Sequence, residues 1–278
     1  MSIAYLNGSW QPIDQARVPV LDRGFMFGDG VYEVIPVYHS MPFAVEEHLT
    51  RLSTSLEAMR IPEPMCKKDW RNLFQVGIDK ANVAEAIIYV QVTRGVADVR
   101  SHVYADIEPT VLITVTPKQS VNSKLKFKLV VKEDFRWSRG HIKTTSLAAN
   151  SLIKNTAIAE GYDDAILTRN GVLTEASSSN VFVVKDGAIA TPVADNFLLH
   201  GVTRSRVVDL AKKGGLPITE RDINTEELLG ADEVWITGTT IEIQPVFSIN
   251  NQVLGNGEDG PIFKKIDRLF RELTGQSS

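Results

Sequence analysis

Runs of β-branched and aromatic residues recur along the whole chain, and several of them end at a two-residue turn signal. Both residues of such a pair tolerate the positive φ that a tight hairpin requires. Helical periodicity occurs between these runs, but strands and helices do not alternate regularly. This pattern predicts an α+β fold rather than a doubly wound parallel sheet. The clearest hairpin signals are Asn7-Gly8, Asn170-Gly171 and Asp186-Gly187.

Apolar residues at helical spacing indicate where the helices lie. Leu49, Leu52, Leu56 and Met59 recur at that spacing within 45–60. Pro261 suits the first position of a last helix. Further helices are expected near 68–82, 147–161 and 203–213. Strands are expected over 31–38, 42–45, 86–95, 110–117, 125–132 and 233–237.

A short polar segment without large apolar residues divides the chain at 118–124. Such composition is typical of a connection between domains. We therefore predict one domain over 1–118, an interdomain linker over 119–124 and a second, larger domain over 125–278.

Charge and cysteine content exclude several classes of function. The chain has 30 basic and 34 acidic residues, a net charge of −4, which argues against nucleic acid or an anionic membrane as a partner. Cys66 is the only cysteine, so an intramolecular disulfide and a cysteine-based metal site are excluded. No secretory signal and no membrane-spanning run is visible. We expect a cytoplasmic protein without a bound metal.

Three hydroxyl-rich turns follow strands or begin a helix, at 174–180, 201–204 and 237–240. Hydroxyls and free backbone N–H groups in such places can bind a phosphate, and Arg51 could add a bidentate guanidinium. The same residues also serve as ordinary turn and helix caps, so a bound phosphate is one of two interpretations.

The remaining polar residues leave their roles open. Lys143 lies between a predicted strand and a helix, and a desolvated lysine can act as a Schiff-base nucleophile. A phosphate site together with such a lysine suggests pyridoxal phosphate. His48 is expected at the surface of its helix or as a cap. The glycine-rich string at 255–260 is expected to be a turn, because too little chain follows it for a dinucleotide fold.

The segment at 22–34, DRGFMFGDGVYEV, resembles the N-terminal signature of the fold-type IV pyridoxal-phosphate aminotransferases. Arg51, Lys143 and the three hydroxyl-rich turns follow in the order and spacing of that family. The resemblance extends from residue 4 to about residue 273. It implies a small α/β N-terminal domain and a larger β-barrel-like C-terminal domain with helices.

The resemblance also implies which residues bind the cofactor pyridoxal 5'-phosphate. Lys143 matches the lysine that forms the Schiff base and moves the Cα proton. Glu175 matches the carboxylate that pairs with the pyridinium nitrogen, and Leu199 matches a residue that packs against the ring. The positions that match phosphate ligands are Arg51, Val202, Thr203 and Thr239.

The substrate carboxylate is expected to bind Tyr32, Arg100 and His102, with the last two supplied by the partner subunit of a homodimer. This pattern is most similar to the members that transaminate D-amino acids, converting D-alanine and 2-oxoglutarate to pyruvate and D-glutamate. The alternatives are 4-amino-4-deoxychorismate lyase, which releases pyruvate, and branched-chain L-amino-acid aminotransferase. One departure weakens the substrate assignment: the loop between Gly95 and Arg100 is one residue longer than usual and lacks a proline.

Overall fold

The structure is a computed structural model that describes residues 2–118 and 126–276. Contacts group the described residues into two compact units. The first unit holds 2–118 and 142–147, and the second holds 126–141 and 148–276. The chain thus contributes a short later segment to the first unit, which the linear division predicted from the sequence does not include. The predicted linker at 119–124 lies outside the described residues, so that boundary stays a prediction.

The first unit contains an antiparallel sheet covered by helices. Its strands are β1 (Ile3–Leu6), β2 (Ser9–Pro12), β3 (Gly30–Tyr38), β4 (Met41–Pro42), β5 (Ala86–Thr93) and β6 (Thr110–Pro117), in the order β2-β1-β6-β5-β3-β4. Its helices are α1 (Arg23–Phe27), α2 (Val45–Met59) and α3 (Lys67–Ala81). Leucines of α2 and two aromatic residues of α3, Trp70 and Phe74, pack on the buried side chains of β3, β5 and β6. The apolar residues whose spacing predicted α2 therefore form the buried face of that helix.

One predicted strand of the first unit is wrong beyond its first residue. The sequence predicts a strand over 42–45, but β4 ends at Pro42 and α2 begins at Val45. Ala44 has a left-handed backbone with φ of 53°, which turns the chain from strand to helix. An apolar run of four residues does not reveal such a turn, because its side chains fit a strand and a helix equally well.

The second unit contains a mixed sheet that curls into a half-barrel. Its strands are β7 (Phe127–Glu133), β8 (Asp164–Arg169), β9 (Val172–Ala176), β10 (Asn180–Lys185), β11 (Ala188–Thr191), β12 (Ile218–Glu220), β13 (Glu233–Gly238), β14 (Glu242–Ile249) and β15 (Gln252–Val253). The order is β12-β11-β10-β13-β14-β7-β8-β9, with β15 paired to β14. Ala176 N–H donates to Ser179 C=O at 2.7 Å, so β9 and β10 meet at a tight turn. The helices are α4 (Ala148–Ala159), α5 (Val202–Lys213), α6 (Thr225–Leu229) and α7 (Pro261–Thr274).

The mixture of antiparallel and parallel pairing confirms the α+β fold. The hairpins predicted at 170–171 and 186–187 connect β8 to β9 and β10 to β11. The glycine-rich string is a turn before α7, and the Glu233 carboxylate accepts hydrogen bonds from the N–H groups of Ile262 and Phe263. Within the described ranges, no helix has both the length and the apolar composition needed to cross a bilayer.

Gly95 and Gly8 offer a matched test of how the loop after β5 is held. Both have positive φ, 113° and 102°. A Cβ at Gly95 would lie 2.0 Å from the Glu108 carbonyl oxygen, whereas a Cβ at Gly8 would meet nothing within 4 Å. Alanine at either position carries backbone strain of about 1–3 kcal/mol, and only Gly95→Ala adds a backbone collision.

We expect Gly95→Ala to lower the free energy of unfolding by at least about 1 kcal/mol more than Gly8→Ala, because overpacking adds a cost of that order. Urea-induced unfolding of the two variants and the wild type measures the difference. Equal losses in the two variants would show that the loop relaxes around the added methyl group.

Candidate active site

The residues predicted for the site fall into two groups, one in each unit. The first unit holds Tyr32, Arg51, Arg100, His102 and Lys143, and the second holds Glu175, Leu199, Val202, Thr203 and Thr239.

Lys143 is fixed to β3 by backbone hydrogen bonds. Tyr32 N–H donates to the Lys143 carbonyl at 2.9 Å, and Thr145 N–H donates to the Gly30 carbonyl at 2.9 Å. The Lys143 N–H donates to Ser55 Oγ of α2 at 3.2 Å. Lys143 Nζ lies 4.2 Å from the centroid of the Tyr32 ring. The structure thus brings Lys143 and Tyr32 together, although they are far apart in the sequence.

Beside them lies a buried cluster, here named the Glu33 cluster, formed by Glu33, His48 and Arg51. Arg51 donates through Nε and Nη2 to the two Glu33 carboxylate oxygens at 2.7 and 2.8 Å. His48 Nδ1 lies 2.7 Å from Glu33 Oε2. A carboxylate only accepts, so Nδ1 carries the proton. Bidentate pairing fixes the plane of the Arg51 guanidinium.

The expectation for His48 is wrong, because its side chain is buried in the Glu33 cluster and is only 1% exposed. His48 and Arg51 are three residues apart on α2, so both face Glu33. The sequence carries a signal that would have found Glu33. On β3 it alternates with Val31 and Ile35 on the inner face, and a carboxylate in that place requires a buried partner.

Burial and charge act in opposite directions within the Glu33 cluster. Burial alone would raise the pKa of Glu33, but the Arg51 guanidinium and the hydrogen bond from His48 outweigh it and hold that pKa well below its ordinary value. Burial lowers the pKa of His48, and the neighbouring Glu33 only partly offsets this effect. The cluster is therefore an ionised carboxylate and guanidinium beside a neutral imidazole.

Arg100 and His102 share one aromatic neighbour. The Phe27 ring centroid lies 4.8 Å from Arg100 Cζ and 5.2 Å from the centroid of the His102 ring. The longer loop before Arg100 is attached to the residues that precede α1. Ala97 N–H donates to the Leu21 carbonyl at 3.2 Å. The longer loop is therefore hydrogen-bonded to the chain before α1, and Arg100 and His102 at its end both lie beside Phe27.

In the second unit, Glu175 is the centre of a buried network. Arg136 Nη1 donates to Glu175 Oε1 at 2.6 Å, and Leu199 N–H donates to Oε2 at 3.1 Å. Asp134 accepts from Arg136 Nε and Nη2, both at 2.9 Å. Asn180 Nδ2 donates to the Leu199 carbonyl at 2.8 Å. Sequence reasoning missed Arg136 and Asp134, which belong to no recognised motif.

Burial raises the pKa of Glu175, and Arg136 and the Leu199 N–H offset only part of that rise. Asp134 adds to the rise through its own negative charge. The pKa of Arg136 is raised, because its two carboxylate partners outweigh the effect of burial. A further positive group beside Glu175 would therefore stabilise its carboxylate form.

The hydroxyl-rich turns of this unit surround the beginning of α5. Gly201 precedes α5 and, among the described residues, no side chain caps it. A Cβ at Gly201 would lie 2.1 Å from Asn180 Oδ1, and Asn180 pairs with Thr237 across β10 and β13. Within the described chain, the buried hydroxyls of Ser177, Ser179 and Thr237 have no hydrogen-bond partner.

These orphaned hydroxyls and the uncapped helix N-terminus fit an anionic group such as the phosphate of pyridoxal phosphate. Val202 and Thr203 form the first turn of α5, and both are buried. Thr239 follows β13 directly and is partly buried. Val202 and Thr203 thus lie at the uncapped N-terminus of α5, and Thr239 lies two residues after the orphaned hydroxyl of Thr237.

Comparison with known proteins agrees with this chemistry. Residues 30–249 match the family model "Amino-transferase class IV". A D-alanine aminotransferase of Listeria monocytogenes is 38% identical over 264 residues, 93% of this chain and 91% of its own. A D-alanine aminotransferase of Bacillus licheniformis is 36% identical over 268 residues, 95% and 94% of the two chains. Among solved structures, the branched-chain amino acid aminotransferase of Escherichia coli superposes with a TM-score of 0.91 at 27% identity, covering 99% and 96% of the chains.

Because the pKa of the buried His48 is lowered, the free energy of unfolding should depend on pH, and the direction of the pKa shift gives the sign of that dependence. Below about pH 6.5 an unfolded histidine binds a proton that the buried His48 resists, so the folded state loses stability as the pH falls. Complete exclusion of that proton would cost about 1.4 kcal/mol at pH 5.5.

We expect His48→Gln to remove up to that amount from the loss of stability between pH 7.5 and 5.5, measured by urea-induced unfolding. His39→Asn, at an exposed turn, is the control for the removal of a histidine. An unchanged slope in His48→Gln would mean that the imidazole is protonated in the folded protein.

Proposed function

The chain belongs to the class IV aminotransferase family, and we propose that it transfers the amino group of D-alanine to 2-oxoglutarate, giving pyruvate and D-glutamate. The observation that carries the proposal is the 36–38% identity to D-alanine aminotransferases over more than nine-tenths of the chain. The placement of Arg100 and His102 on one aromatic ring supports the same substrate class. As a member of this family, the protein is a pyridoxal-phosphate-dependent enzyme that acts on amino acids and 2-oxo acids.

The residues present support a specific mode of cofactor binding. Lys143 would hold pyridoxal phosphate covalently through Nζ, and Glu175 would pair with the ring nitrogen. Leu199 would pack against the ring. The phosphate would accept hydrogen bonds from Arg51, Val202, Thr203 and Thr239. When bound, the cofactor supplies an electron sink for negative charge at the substrate Cα.

The chain's own groups divide the chemistry between them. Lys143 Nζ takes the Cα proton of the amino acid and returns a proton during the second half of the reaction. Its backbone bonds to β3 keep it on one side of the substrate, so the same face is protonated each time. Glu175 would hold a proton on the ring nitrogen of the bound cofactor, and Arg136 and the Leu199 N–H hold that carboxylate in place.

We propose that Tyr32, Arg100 and His102 bind the substrate carboxylate and that Arg100 and His102 act on the substrate of a second copy in a homodimer. Large apolar side chains are exposed near these residues, which supports the proposal that a second copy of the chain covers this surface. Phe25 is 77% exposed in the first unit, and Val103 is also 77% exposed. Isolated apolar residues at a surface are ordinary, but a group of them around charged residues is typical of an interface.

A cytoplasmic location belongs to the same proposal. The single cysteine, which is exposed, fits a reducing compartment better than an oxidising one. Fractionation of the source cells, with the enzyme assayed in each fraction, tests this assignment.

Lys143→Ala should lose transamination by about 100- to 10,000-fold or more, because proton transfer at Cα loses its base. Borohydride reduction of the wild type followed by peptide mapping should find the pyridoxyl group on Lys143. Lys185→Ala, which changes an exposed lysine, should keep the wild-type activity and absorbance. A pyridoxyl group on another lysine would contradict the assignment.

Arg100→Ala should lower kcat/KM for D-alanine by roughly 10- to 150-fold, the effect of losing one charge-assisted contact of about 1.5–3 kcal/mol. The absorbance of the bound cofactor should not change. Initial rates with the D and L forms of alanine, glutamate and leucine measure the preference, and Arg71→Ala, at an exposed arginine, is the control.

The same assays separate the alternatives. A wild-type preference for L-leucine would support a branched-chain aminotransferase, the activity of the Escherichia coli protein that the fold resembles. Pyruvate released from 4-amino-4-deoxychorismate without an acceptor would support a lyase. Either result would replace the proposed substrate and leave the family assignment standing.

A further inference from the structure

The loop that carries Arg100 and His102 is held by two residues of α1, Arg23 and Phe27. Arg23 N–H donates to the Gly95 carbonyl at 2.9 Å, at the beginning of the loop. The Arg23 side chain donates through Nη1 to the carbonyl of Ser101, the residue between Arg100 and His102. The Arg23 side chain therefore holds the backbone at Ser101, and the position of that backbone determines where the side chains of Arg100 and His102 point.

Arg23 is also held in place by contacts outside the loop. It is 3% exposed, and its Nε donates to Asp29 Oδ2 at 2.8 Å. Asp29 also accepts from Arg94 Nε at 2.8 Å. Arg94 in turn donates to the Met59 carbonyl at 2.7 Å, at the end of α2. The anchor of the loop is thus connected to α2 through buried, charge-assisted hydrogen bonds.

Phe27 contacts each of the side chains concerned. Its ring centroid lies 4.9 Å from Arg23 Cζ and 4.8 Å from Arg100 Cζ, both within the range of a cation–π interaction. The His102 ring lies 5.2 Å away with an interplanar angle of 42°. An exposed arginine has many rotamers, and a contact with a fixed ring removes some of them before substrate binds.

We infer that Arg23 and Phe27 are positioning residues that orient Arg100 and His102 for the substrate carboxylate. The inference rests on the proposed function, since it assumes that Arg100 and His102 bind that carboxylate. It also explains how the longer loop before Arg100 is held in one conformation. A loop that lacks proline has more conformations to lose, and the Arg23 contact with Ser101 restricts them from outside the loop.

Arg23→Lys separates positioning from folding. Lysine keeps the positive charge beside Asp29, but its single ammonium cannot reproduce the arginine fork that reaches both Asp29 and Ser101. We expect KM for D-alanine to rise by roughly 5- to 20-fold, less than the full loss of a charge-assisted contact, because Arg100 is still present but is less well oriented. The value of kcat and the absorbance of the bound cofactor should stay within about twofold of the wild type. Arg71→Lys is the matched control and should change none of these quantities.

Phe27→Leu tests the ring without changing charge. Leucine preserves apolar bulk and removes the π face, so KM should rise by about 3- to 10-fold. The decisive comparison is non-additivity. In an Arg100→Ala background, Arg23→Lys and Phe27→Leu should each raise KM by a clearly smaller factor than in the wild type, because only His102 is left for them to orient.

Each outcome decides the inference. A rise in KM at constant kcat that becomes smaller in the Arg100→Ala background supports it. Unchanged KM in both variants, or full additivity with Arg100→Ala, overturns it while the proposed function stands. If Arg23→Lys lost bound cofactor and thermal stability together, the result with Phe27→Leu would decide. A wild-type enzyme inactive on D-alanine would instead contradict the proposed function itself.

Discussion

A buried carboxylate between β3 and α2 determines the geometry of the first unit. Glu33 accepts two hydrogen bonds from Arg51 and one from His48, and it has no exposed surface. Removing one partner from a buried ion pair costs about 3–5 kcal/mol, because the other charge is left uncompensated. Tyr32 precedes Glu33 on β3, so its side chain lies on the opposite face of the strand, where its ring contacts Lys143. The orientation of Arg51 and the position of Tyr32 therefore depend on the same strand.

The second unit uses the same pair of residue types with the opposite effect on pKa. Burial acts to raise the pKa of both carboxyl groups. The pKa of Glu33 is nevertheless lowered because Arg51 and His48 outweigh burial, whereas the pKa of Glu175 stays raised because Arg136 and the Leu199 N–H offset burial only in part. Glu33 is electrostatically satisfied within the protein. Glu175 retains the capacity to bind a further cation, which suits a residue proposed to face a protonated ring nitrogen.

Local pattern predicted most of the fold, and the failures have physical causes. Hairpin turns and the long helices depend on residues close in sequence, so their positions were correct within a few residues. Two five-residue helices, α1 and α6, are too short to show a period, although Asn224 caps α6 by accepting from Glu227 N–H at 2.8 Å. The Arg136 contact with Glu175 spans 39 positions and has no counterpart in local pattern.

The same reasoning applies to the candidate site. The motifs identified Lys143, Arg51 and Glu175, because each lies in a recognisable string. The residues that hold them in place are single polar side chains in otherwise ordinary segments, such as Ser55, which accepts from the Lys143 N–H. Their roles become visible only when distant segments are brought together, since a partner's distance in space is unrelated to its separation in sequence.

The attachment of 142–147 to β3 has a consequence for synthesis on the ribosome. The contacts of this segment with Gly30 and Tyr32 belong to the first unit, but the segment lies 24 to 29 positions after residue 118. At about 5–20 residues per second, translation needs on the order of a few seconds to supply it. During that interval the amino-terminal part of β3 lacks its last neighbour. The lysine proposed for catalysis is thus among the final pieces that the first unit acquires as the nascent chain emerges.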